Sequence, residues 1–411
     1  MVYHVRAFHG GFMEDLQHRY ARLILETMVR IQEGDALSIN TEDITLPFAK
    51  LLAAMASEIT MQPVNIVVMK HGQPQGVIPV EPIEHDVLRP QPTGAAMLRI
   101  VDTENRNWKE PEDLAAACAD LVQLQRYEHL AEPLIFDRRI AVPWAVVHVP
   151  GSNWTKHLLG EDNHEDALWN LLQDIWKLDE EQADKAWDNQ IQLLHYRKRL
   201  LESLHIERLL FRTQGTELSV GVAANAHWEG GLQTLPSGRS FISSLPLEEL
   251  FIAADRTTAK GVLTATRPMN LFGEQVLGAT FTVQNGEVIA WNAEHGKHLL
   301  DAYFKIDAGA RHVGELALAD ENTAISRAID RYGVSLLDRH RTTRIRFGAA
   351  NPACLDAGAE IDNEEQLQSR TTFNISNVVC DCPIGDGGLV VTAVTSKGDE
   401  IVLMEHGVFI D

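Results

Sequence analysis

Two cysteines flank an acid near the carboxyl end of the chain, in the segment NVVCDCPIGDGG from Asn377 to Gly388. Cys380, Asp381 and Cys382 could form a metal site, a redox pair or a buried strand with one polar residue. Side chains alternate between the two faces of a strand, so both cysteines are expected on one face and Asp381 on the other. The pattern favours two small buried thiols. Metal ligation and a redox pair are the alternatives, although C-x-C is a weaker redox signal than C-x-x-C.

Two further acids lie within apolar segments. Glu315 belongs to VGELALA, and a carboxylate buried in such a run needs a partner, because its desolvation is costly. Glu249 follows Pro246 in LPLEELF, where it could also be an acid in the first turn of a helix, favoured by the helix dipole. Glu315 and Asp381 are therefore the stronger candidates for a functional site, and Glu249 is a third candidate.

Common catalytic and nucleotide-binding motifs are absent from the sequence. HExxH, GxxxxGK[ST] and GxSxG do not occur, and no GxGxxG follows the first predicted strand. A zinc-protease helix, a phosphate-binding loop and a nucleophile elbow are thereby excluded as sources of function. An open α/β sheet in this chain need not bind a dinucleotide.

Composition limits the classes of partner. Of the 411 residues, 45% are hydrophobic and 23% are charged, which is typical of globular proteins. The net charge of −22, from 58 acids and 36 bases, repels nucleic acids and anionic membranes. No apolar run reaches the roughly 18 residues of a membrane span, and the first residues lack a signal-peptide pattern. With only four scattered cysteines, the pattern predicts a cytoplasmic protein without nucleic-acid or membrane partners.

The first third of the chain alternates between strand and helix patterns. Apolar residues recur at helical spacing over 12–33, and Gly34 should end that helix. The segments that follow are, in order, ALSIN, LPFAKLLAAMASEI, PVNIVVM, MLRIVDT, EDLAAACADLVQL and RRIAVPWAVVHV. Residues 74–94 contain five prolines and are expected to form a surface loop. Strand, helix and strand in sequence imply right-handed parallel crossovers, so we predict an α/β amino-terminal domain with an open parallel sheet.

The texture of the sequence changes in the second half. Two amphipathic helices, HEDALWNLLQDIWKL and EEQADKAWDNQIQLLHYRKRLLESL, come first. From about Leu209, short β-type segments alternate with glycine-containing turns, and TVQNGEVIA is typical of a hairpin with an Asn-Gly turn. We predict two domains: residues 1–205 form the α/β domain with its connecting helices, and residues 206–411 form a β-rich α+β domain. The candidate acids all lie in the second domain.

Several segments of the second half resemble the aminopeptidase T family of metallo-aminopeptidases, which includes the aminopeptidases S. They occur in the family's order and approximate spacing: GTELSVGV, SLPLEELFIAADRTTAKGVLTATRP, AEHGKHLLDAYFKIDAGARHVGELALAD, RIRFGAAN and CDCPIG. The match extends from about His148 to the end, and the first 140 residues match in pattern and length. The resemblance implies an α/β domain, a β-rich catalytic domain, and a homodimer enclosing two-metal sites that remove amino-terminal residues from peptides.

Three acidic positions of the family's metal site are retained. The glutamate of LPLEELF corresponds to Glu249, that of VGELAL to Glu315, and the aspartate of the family's His-x-Asp pair to Asp381. In a two-metal site, ions about 3.5–4 Å apart share a water, lower its pKa and hold the attacked carbonyl. The resemblance therefore implies that Glu249, Glu315 and Asp381 occupy metal-ligand positions. If hydrolysis occurs, the three acids would hold metal, with Glu315 as the candidate bridge and a catalytic residue.

Three other positions of the family's site are replaced. The histidine before (I/L)AFG corresponds to Arg344, the tyrosine seven residues later to Asn351, and the histidine of His-x-Asp to Val379. Arginine keeps its proton and cannot ligate a metal, but its guanidinium can pair with carboxylates. Arg344 is expected either to substitute for one metal or to mark a site emptied of metal. In an active enzyme, Arg344 would be catalytic, binding a peptide carboxylate or the oxyanion, and Asn351 would also contact substrate.

These positions lead to several expectations about cofactor and function. The expected cofactor of an active protein is a divalent ion: Mg, Mn, Co or Zn. An inactive protein would have none. A site built from carboxylates alone favours Mg, Mn or Ca over Zn. The first hypothesis is an aminopeptidase-like metallo-hydrolase with a divergent metal site, acting on small peptides or amides as a homodimer. The alternatives are a catalytically inactive binding or scaffold dimer, and a different reaction on the same fold, such as the family's ring-opening dioxygenase branch.

Overall fold

The computed structural model describes most of the chain. The described residues are 10–70, 73–80, 94–103, 114–119, 122, 142–160, 164–178, 183–235, 237–356, 361 and 364–410. They form two compact units: one falls within 1–104, 140–190 and 232–246, and the other within 105–139, 191–231 and 247–411. The predicted domain boundary between residues 205 and 206 stays a prediction, because a compact unit is not by itself an independently folding domain.

The first unit contains a five-stranded sheet of order β3-β2-β1-β4-β5. Its strands are β1 (Asp35–Glu42), β2 (Val64–Lys70), β3 (Gln73–Val80), β4 (Gly94–Val101) and β5 (Trp144–His148). Strand β1 is parallel to β2 and β4, and β4 is parallel to β5. This arrangement confirms the predicted α/β class and the parallel crossover from β1 to β2.

The predicted loop at residues 74–94 is wrong over its first part. Residues 73–80 form β3, which is antiparallel to β2 at the edge of the sheet, and residues 81–93 lie outside the described residues. Proline lacks a backbone N–H donor and is therefore confined to edge strands, bulges or strand starts. Because β3 pairs on one side only, it accommodates Pro74 and Pro79, the same residues that suggested a loop.

The helices of the described residues include α1 (Gly10–Arg22), α2 (Leu46–Thr60), α3 (Ser152–Leu159), α4 (Glu165–Gln173) and α5 (Ala183–Ser203). A π-helix, Leu23–Met28, continues α1, so the helical segment ends before the predicted stop at Gly34. Residues 114–119 are helical as predicted, and most of the remaining predicted segment, EDLAAACADLVQL, lies outside the described residues. No helix in the described part of the chain has the length and hydropathy of a membrane span.

Asp102, which follows β4, is a buried acid of the first unit. Its Oδ1 accepts hydrogen bonds from the backbone N–H groups of Gly151 at 2.9 Å and Trp154 at 3.3 Å, at the start of α3. Burial raises the pKa of Asp102 to about 6, despite these bonds. The folded state therefore holds this proton more tightly than the unfolded state, and stability is lost as pH rises from about 4 to about 6.

Replacing Asp102 with asparagine should remove this pH dependence. The amide keeps an oxygen that accepts from Gly151 and Trp154, but it carries no charge that burial could penalise. Relative to wild type, the free energy of unfolding of Asp102→Asn should increase by about 2–3 kcal/mol between pH 4 and pH 7.5. Urea unfolding at both pH values measures the difference, and a pH-independent difference would contradict the assignment.

The second unit is rich in antiparallel strands. Its larger sheet has the order β15-β14-β11-β7-β6-β19-β20-β21, and a four-stranded sheet has the order β10-β16-β17-β18. The bounds of its strands are β6 Ile206–Thr213, β7 Thr216–Gly221, β10 Glu249–Ala253, β11 Lys260–Thr264, β12 Met269–Leu271, β13 Glu274–Val276, β14 Thr280–Gln284, β15 Glu287–Asn292, β16 Val313–Ala319, β17 Arg344–Gly348, β18 Val379–Pro383, β19 Val390–Thr395, β20 Glu400–Glu405 and β21 Val408–Phe409. The short strands β8 (Gln233–Thr234) and β9 (Ser240–Phe241) fall within the first unit.

Short helices connect these strands. They are α6 (Lys297–Tyr303), α7 (Ala324–Ala328), α8 (Ser335–Asp338) and α9 (Glu364–Arg370). Strands β14 and β15 form the predicted hairpin with its Asn-Gly turn. The second unit therefore confirms the predicted β-rich α+β class, and its four-stranded sheet contains every candidate acid.

Candidate functional site

The four-stranded sheet has one polar and one apolar face. Alternation along each strand gives Glu249, Glu315, Arg344, Arg346 and Asp381 the same face, and the register pairs Glu315 with Arg346 and Arg346 with Asp381. The opposite face presents buried apolar side chains: Leu250, Ile252, Leu316, Leu318, Ile345, Phe347, Cys380 and Cys382. The strand pairing thus brings the three candidate acids together with two arginines.

The two cysteines lie on the apolar face, away from Asp381. Cys380 is paired with Phe347 and Cys382 with Ile345, and the two cysteines are 4% and 0% exposed. Burial raises the pKa of both thiols above the ordinary value. The expected separation of the cysteines from Asp381 is confirmed, and both behave as small buried side chains.

Arg344 connects all three candidate acids. Its Nε and Nη2 donate to the two oxygens of Glu249 at 3.2 and 3.1 Å. Nη2 also donates to Oε1 of Glu315 at 2.8 Å, and Nη1 donates to Oδ1 of Asp381 at 2.8 Å. The residue is 1% exposed, so these are charge-assisted bonds shielded from water. The predicted pairing of Arg344 with carboxylates is therefore present.

Arg346 is a second guanidinium in the cluster and was missed by the sequence reasoning. It donates to Asp381 at 2.8 and 3.2 Å and to Oε2 of Glu315 at 3.2 Å. The signal was the spacing in RIRFG, because residues 344 and 346 of one strand must share a face. The cluster therefore contains two forked cations rather than one.

Glu249 is the first residue of β10, so its alternative interpretation as an acid in the first turn of a helix is wrong. Besides Arg344, it lies 3.8 Å from Arg339 Nε and 3.8 Å from His340 Nδ1. Burial, aided by the nearby charges of Arg339 and Arg344, lowers the pKa of His340 well below its ordinary value. His340 is therefore neutral, and Arg339 is a third cation beside the acids.

The electrostatics of the cluster are balanced. Burial alone would lower the pKa of Arg344, but the charges of Asp381, Glu249 and Glu315 outweigh burial and raise it. Burial would likewise raise the pKa of Asp381, yet Arg344 and Arg346 hold it well below its ordinary value. Arg344 and Asp381 are thus ionised at neutral pH. Three carboxyl groups face three guanidinium groups in the cluster: Glu249, Glu315, Asp381, Arg339, Arg344 and Arg346.

Asn351 and Val379 have no ion-pairing role. The side-chain oxygen of Asn351 accepts a hydrogen bond from the N–H of Ala353 at 3.0 Å and so caps a short 3-10 helix. Val379 begins β18 and is paired with Gly348. The suggested contact between Asn351 and substrate stays a prediction, as do the catalytic roles suggested for Glu315 and Arg344.

An additional polar group adjoins the same face. Glu229 forms an isolated bridge with Phe251, so it extends the sheet by one residue beyond β10. Its Oε1 lies 2.6 Å from His227 Nε2 and accepts a bond from Lys198 Nζ at 3.0 Å. The other nitrogen of His227 lies 3.4 Å from Asp356, whose side chain is 50% exposed. The rim of the polar face therefore reaches solvent at Asp356 and contains two acids, Glu229 and Asp356, beside two basic side chains, Lys198 and His227.

The family model described as "Thermophilic metalloprotease (M29)" matches residues 13–409. The chain belongs to this family. Aminopeptidase 2 of Geobacillus stearothermophilus is 26% identical over 95% of this chain and 96% of its own length. Aminopeptidase PepS of Streptococcus thermophilus is 25% identical over 97% and 98%. Aminopeptidase T of Thermus aquaticus is 29% identical over 64% of each chain. The names of these M29 relatives support an aminopeptidase-like function.

A solved structure supports the fold. Wild-type AmpT from Thermus thermophilus superposes with a TM-score of 0.79 over 97% of this chain and 100% of that chain, at 22% identity. The predicted resemblance to aminopeptidases T and S is therefore confirmed for family and fold. The roles of individual residues are a separate question, which depends on the side chains of this chain.

Membership of a metalloprotease family implies a divalent metal ion, and the donor set of the polar face tests whether one fits. Metal ligands must offer free lone pairs, and arginine offers none. Here both oxygens of Glu249, Glu315 and Asp381 accept guanidinium N–H bonds. Across the described residues, no group of three or more His, Cys, Asp or Glu side chains is arranged to hold an ion. The residues present do not fit a divalent ion.

Proposed function

We propose that this M29 protein recognises peptides or amides in the manner of an aminopeptidase but does not hydrolyse them through a two-metal centre. The observation that carries the proposal is the hydrogen bonding of Arg344 to all three acids, at 2.8–3.2 Å. Two-metal hydrolysis needs carboxylates that hold the ions and activate a shared water. In this cluster the carboxylates already bind guanidinium groups, which cannot bind and activate a water as a metal ion does.

The rim formed by His227, Glu229, Phe251 and Asp356 supports recognition of a peptide amino terminus. Phe251 is partly buried and offers apolar contact, and Asp356, whose side chain is 50% exposed, provides negative charge, whereas Glu229 is already paired with Lys198. A free α-amino group is a cation at neutral pH and suits such a surface. Small peptides with a free amino terminus are the proposed ligands, and a cytoplasmic homodimer is part of the same proposal.

An aminopeptidase-like hydrolase with a reduced metal site is the second candidate. The names of the M29 relatives favour it, since Aminopeptidase 2 and PepS match along nearly the whole chain. In this candidate Glu249, Glu315 and Asp381 would ligate a divalent ion, and Arg344 and Asn351 would contact substrate. The first candidate requires no rearrangement of the ion pairs, whereas the second requires at least one carboxylate to leave its guanidinium.

Hydrolysis of aminoacyl-p-nitroanilides separates the two candidates. We expect wild type and Glu315→Gln to show the same background rate with added Mg, Mn, Co or Zn, because Glu315 holds arginines rather than an ion. Size-exclusion chromatography verifies that the variant is folded. A wild-type rate that rises with metal and falls by about 100-fold or more in Glu315→Gln would contradict the proposal and establish the hydrolase.

Binding is measured on the same samples. Fluorescence anisotropy of labelled peptides should show binding when the amino terminus is free and a loss of affinity of about tenfold when it is acetylated. Asp356→Asn should weaken binding of the peptide with a free amino terminus, whereas Glu217→Gln, which alters an exposed pair with Arg212, provides the control. Equal affinity for free and acetylated peptides would contradict recognition of the α-amino group.

A further inference from the structure

The three acids of the polar face point at one position from three different strands. Glu249 belongs to β10, Glu315 to β16 and Asp381 to β18, and the guanidinium of Arg344 lies within 3.2 Å of an oxygen of each. Three carboxylates converging on one point repel one another strongly unless a cation stands between them. The strand arrangement alone would thus create a cation site.

Arg346 completes the occupation of this position. Nη1 takes the second oxygen of Glu315 at 3.2 Å, Nη2 takes the second oxygen of Asp381 at 3.2 Å, and Nε shares the first oxygen of Asp381 at 2.8 Å. Each of the six carboxylate oxygens accepts at least one guanidinium N–H from Arg344 or Arg346. Neither arginine can lose its proton at physiological pH, so the charge of these built-in cations does not depend on pH.

We propose that Glu249, Glu315 and Asp381 form a latent divalent-cation site that Arg344 and Arg346 close as built-in cations. The chain therefore folds without an ion at this position, and the site opens only when both guanidinium groups are removed. The inference shares the ion-pair cluster with the proposed function. It concerns cation binding rather than peptides, so each can fail without the other.

The geometry requires a double substitution. Removing Arg344 alone leaves Arg346 on Glu315 and Asp381, and removing Arg346 alone leaves Arg344 on all three acids. In Arg344→Ala/Arg346→Ala, three carboxylates lose their guanidinium hydrogen bonds and supply only oxygen ligands, with Arg339 left 3.8 Å from Glu249. Hard cations such as Mn²⁺ and Ca²⁺ favour such ligands. These ions are therefore the probes.

The test compares wild type, the double variant and a control. Arg197→Ala removes another buried arginine, which is paired with Asp320 at 2.7 Å, and so deprives a single carboxylate of its arginine rather than a cluster of three. Elemental analysis after dialysis should find no stoichiometric metal in wild type or control and about one Mn²⁺ per chain in the double variant. Mn²⁺ or Ca²⁺ should raise the melting temperature of the double variant only, with affinity at least about tenfold above that of the control.

Two outcomes would overturn the inference. The first is wild-type protein, purified without chelator, that holds about one or more equivalents of metal and loses it in Glu315→Gln. The second is a folded double variant that binds Mn²⁺ no better than Arg197→Ala. If the double variant does not fold, the test uses Arg344→Gln/Arg346→Gln instead, because glutamine side chains still form hydrogen bonds. In wild type, a melting temperature unchanged by EDTA supports the inference, and a lowered one contradicts it.

Discussion

Replacing Arg344 with methionine should lower the free energy of unfolding by about 3–5 kcal/mol, the largest effect expected from any side chain of the polar face. Methionine matches the length of the arginine stem, so little volume is lost. The loss arises because Glu249, Glu315 and Asp381 remain buried or nearly so, at 3%, 1% and 18% exposure, with too few cations. Urea unfolding followed by circular dichroism measures the change.

Two controls separate the ion pairs from other effects of the substitution. Arg344→Lys keeps the charge but loses the planar fork, so its stability should lie between those of wild type and Arg344→Met. Arg212→Met removes a pair with Glu217 whose side chains are 76% and 79% exposed, and its effect should stay below about 1 kcal/mol. An Arg344→Met protein as stable as Arg212→Met would show that the acids do not depend on Arg344.

Particular residues show how far the sequence predicts this molecule. The spacing of apolar residues, every second residue in strands and every three or four in helices, was sufficient to predict the parallel sheet. The same alternation predicted the face that Asp381 occupies, because both patterns are local. The family resemblance located Glu249, Glu315 and Arg344, which lie far apart in the chain. Only pairing of β10, β16, β17 and β18 brings them together. Register between strands is a long-range property, so the number of cations in the cluster could not be predicted.

Three misjudged features have physical causes. Strand β3 was predicted as a loop because its prolines are disfavoured in central strands, and its edge position depends on the sheet around it. Glu249 could have begun a helix because it comes three residues after Pro246, and an acid shortly after a proline is typical of a helix start. The same sequence is also compatible with a strand. Arg346 was overlooked although it is two residues from Arg344, because no family position drew attention to it.

The ion pairs also bear on the register of β17. A slip by one residue would turn Ile345 and Phe347 towards the carboxylates and bury Arg344 and Arg346 on the apolar face. Both changes are costly, since unpaired charges would be buried on each face. If hydrophobic residues replaced all the charged residues of the cluster, the protein could be as stable. Both faces of β17 would then be apolar, so the two registers would no longer differ in energy. The cluster is therefore expected to contribute to specificity of strand pairing as well as to stability.

Gly348, at the end of β17, offers a second large effect through the backbone. Its φ is +94°, a conformation that residues with a Cβ rarely adopt, and an added Cβ would collide with the Val378 carbonyl oxygen and lie 2.8 Å from Tyr303 Oη. Tyr303 itself donates to the Phe347 carbonyl at 3.0 Å, so it cannot retreat without losing that bond. Gly348→Ala should therefore destabilise the protein by more than about 3 kcal/mol.

Gly398 supplies the matched control for this substitution. Its φ is +84°, and nothing lies within 4 Å of an added Cβ, so Gly398→Ala tests the backbone conformation without the collision. The control should cost about 1–2 kcal/mol, the penalty of the left-handed region. The excess in Gly348→Ala then measures the close approach of β17 to β18, the contact that aligns Arg346 with Asp381. Equal costs for the two variants would show that the strand packing at Gly348 tolerates a methyl group.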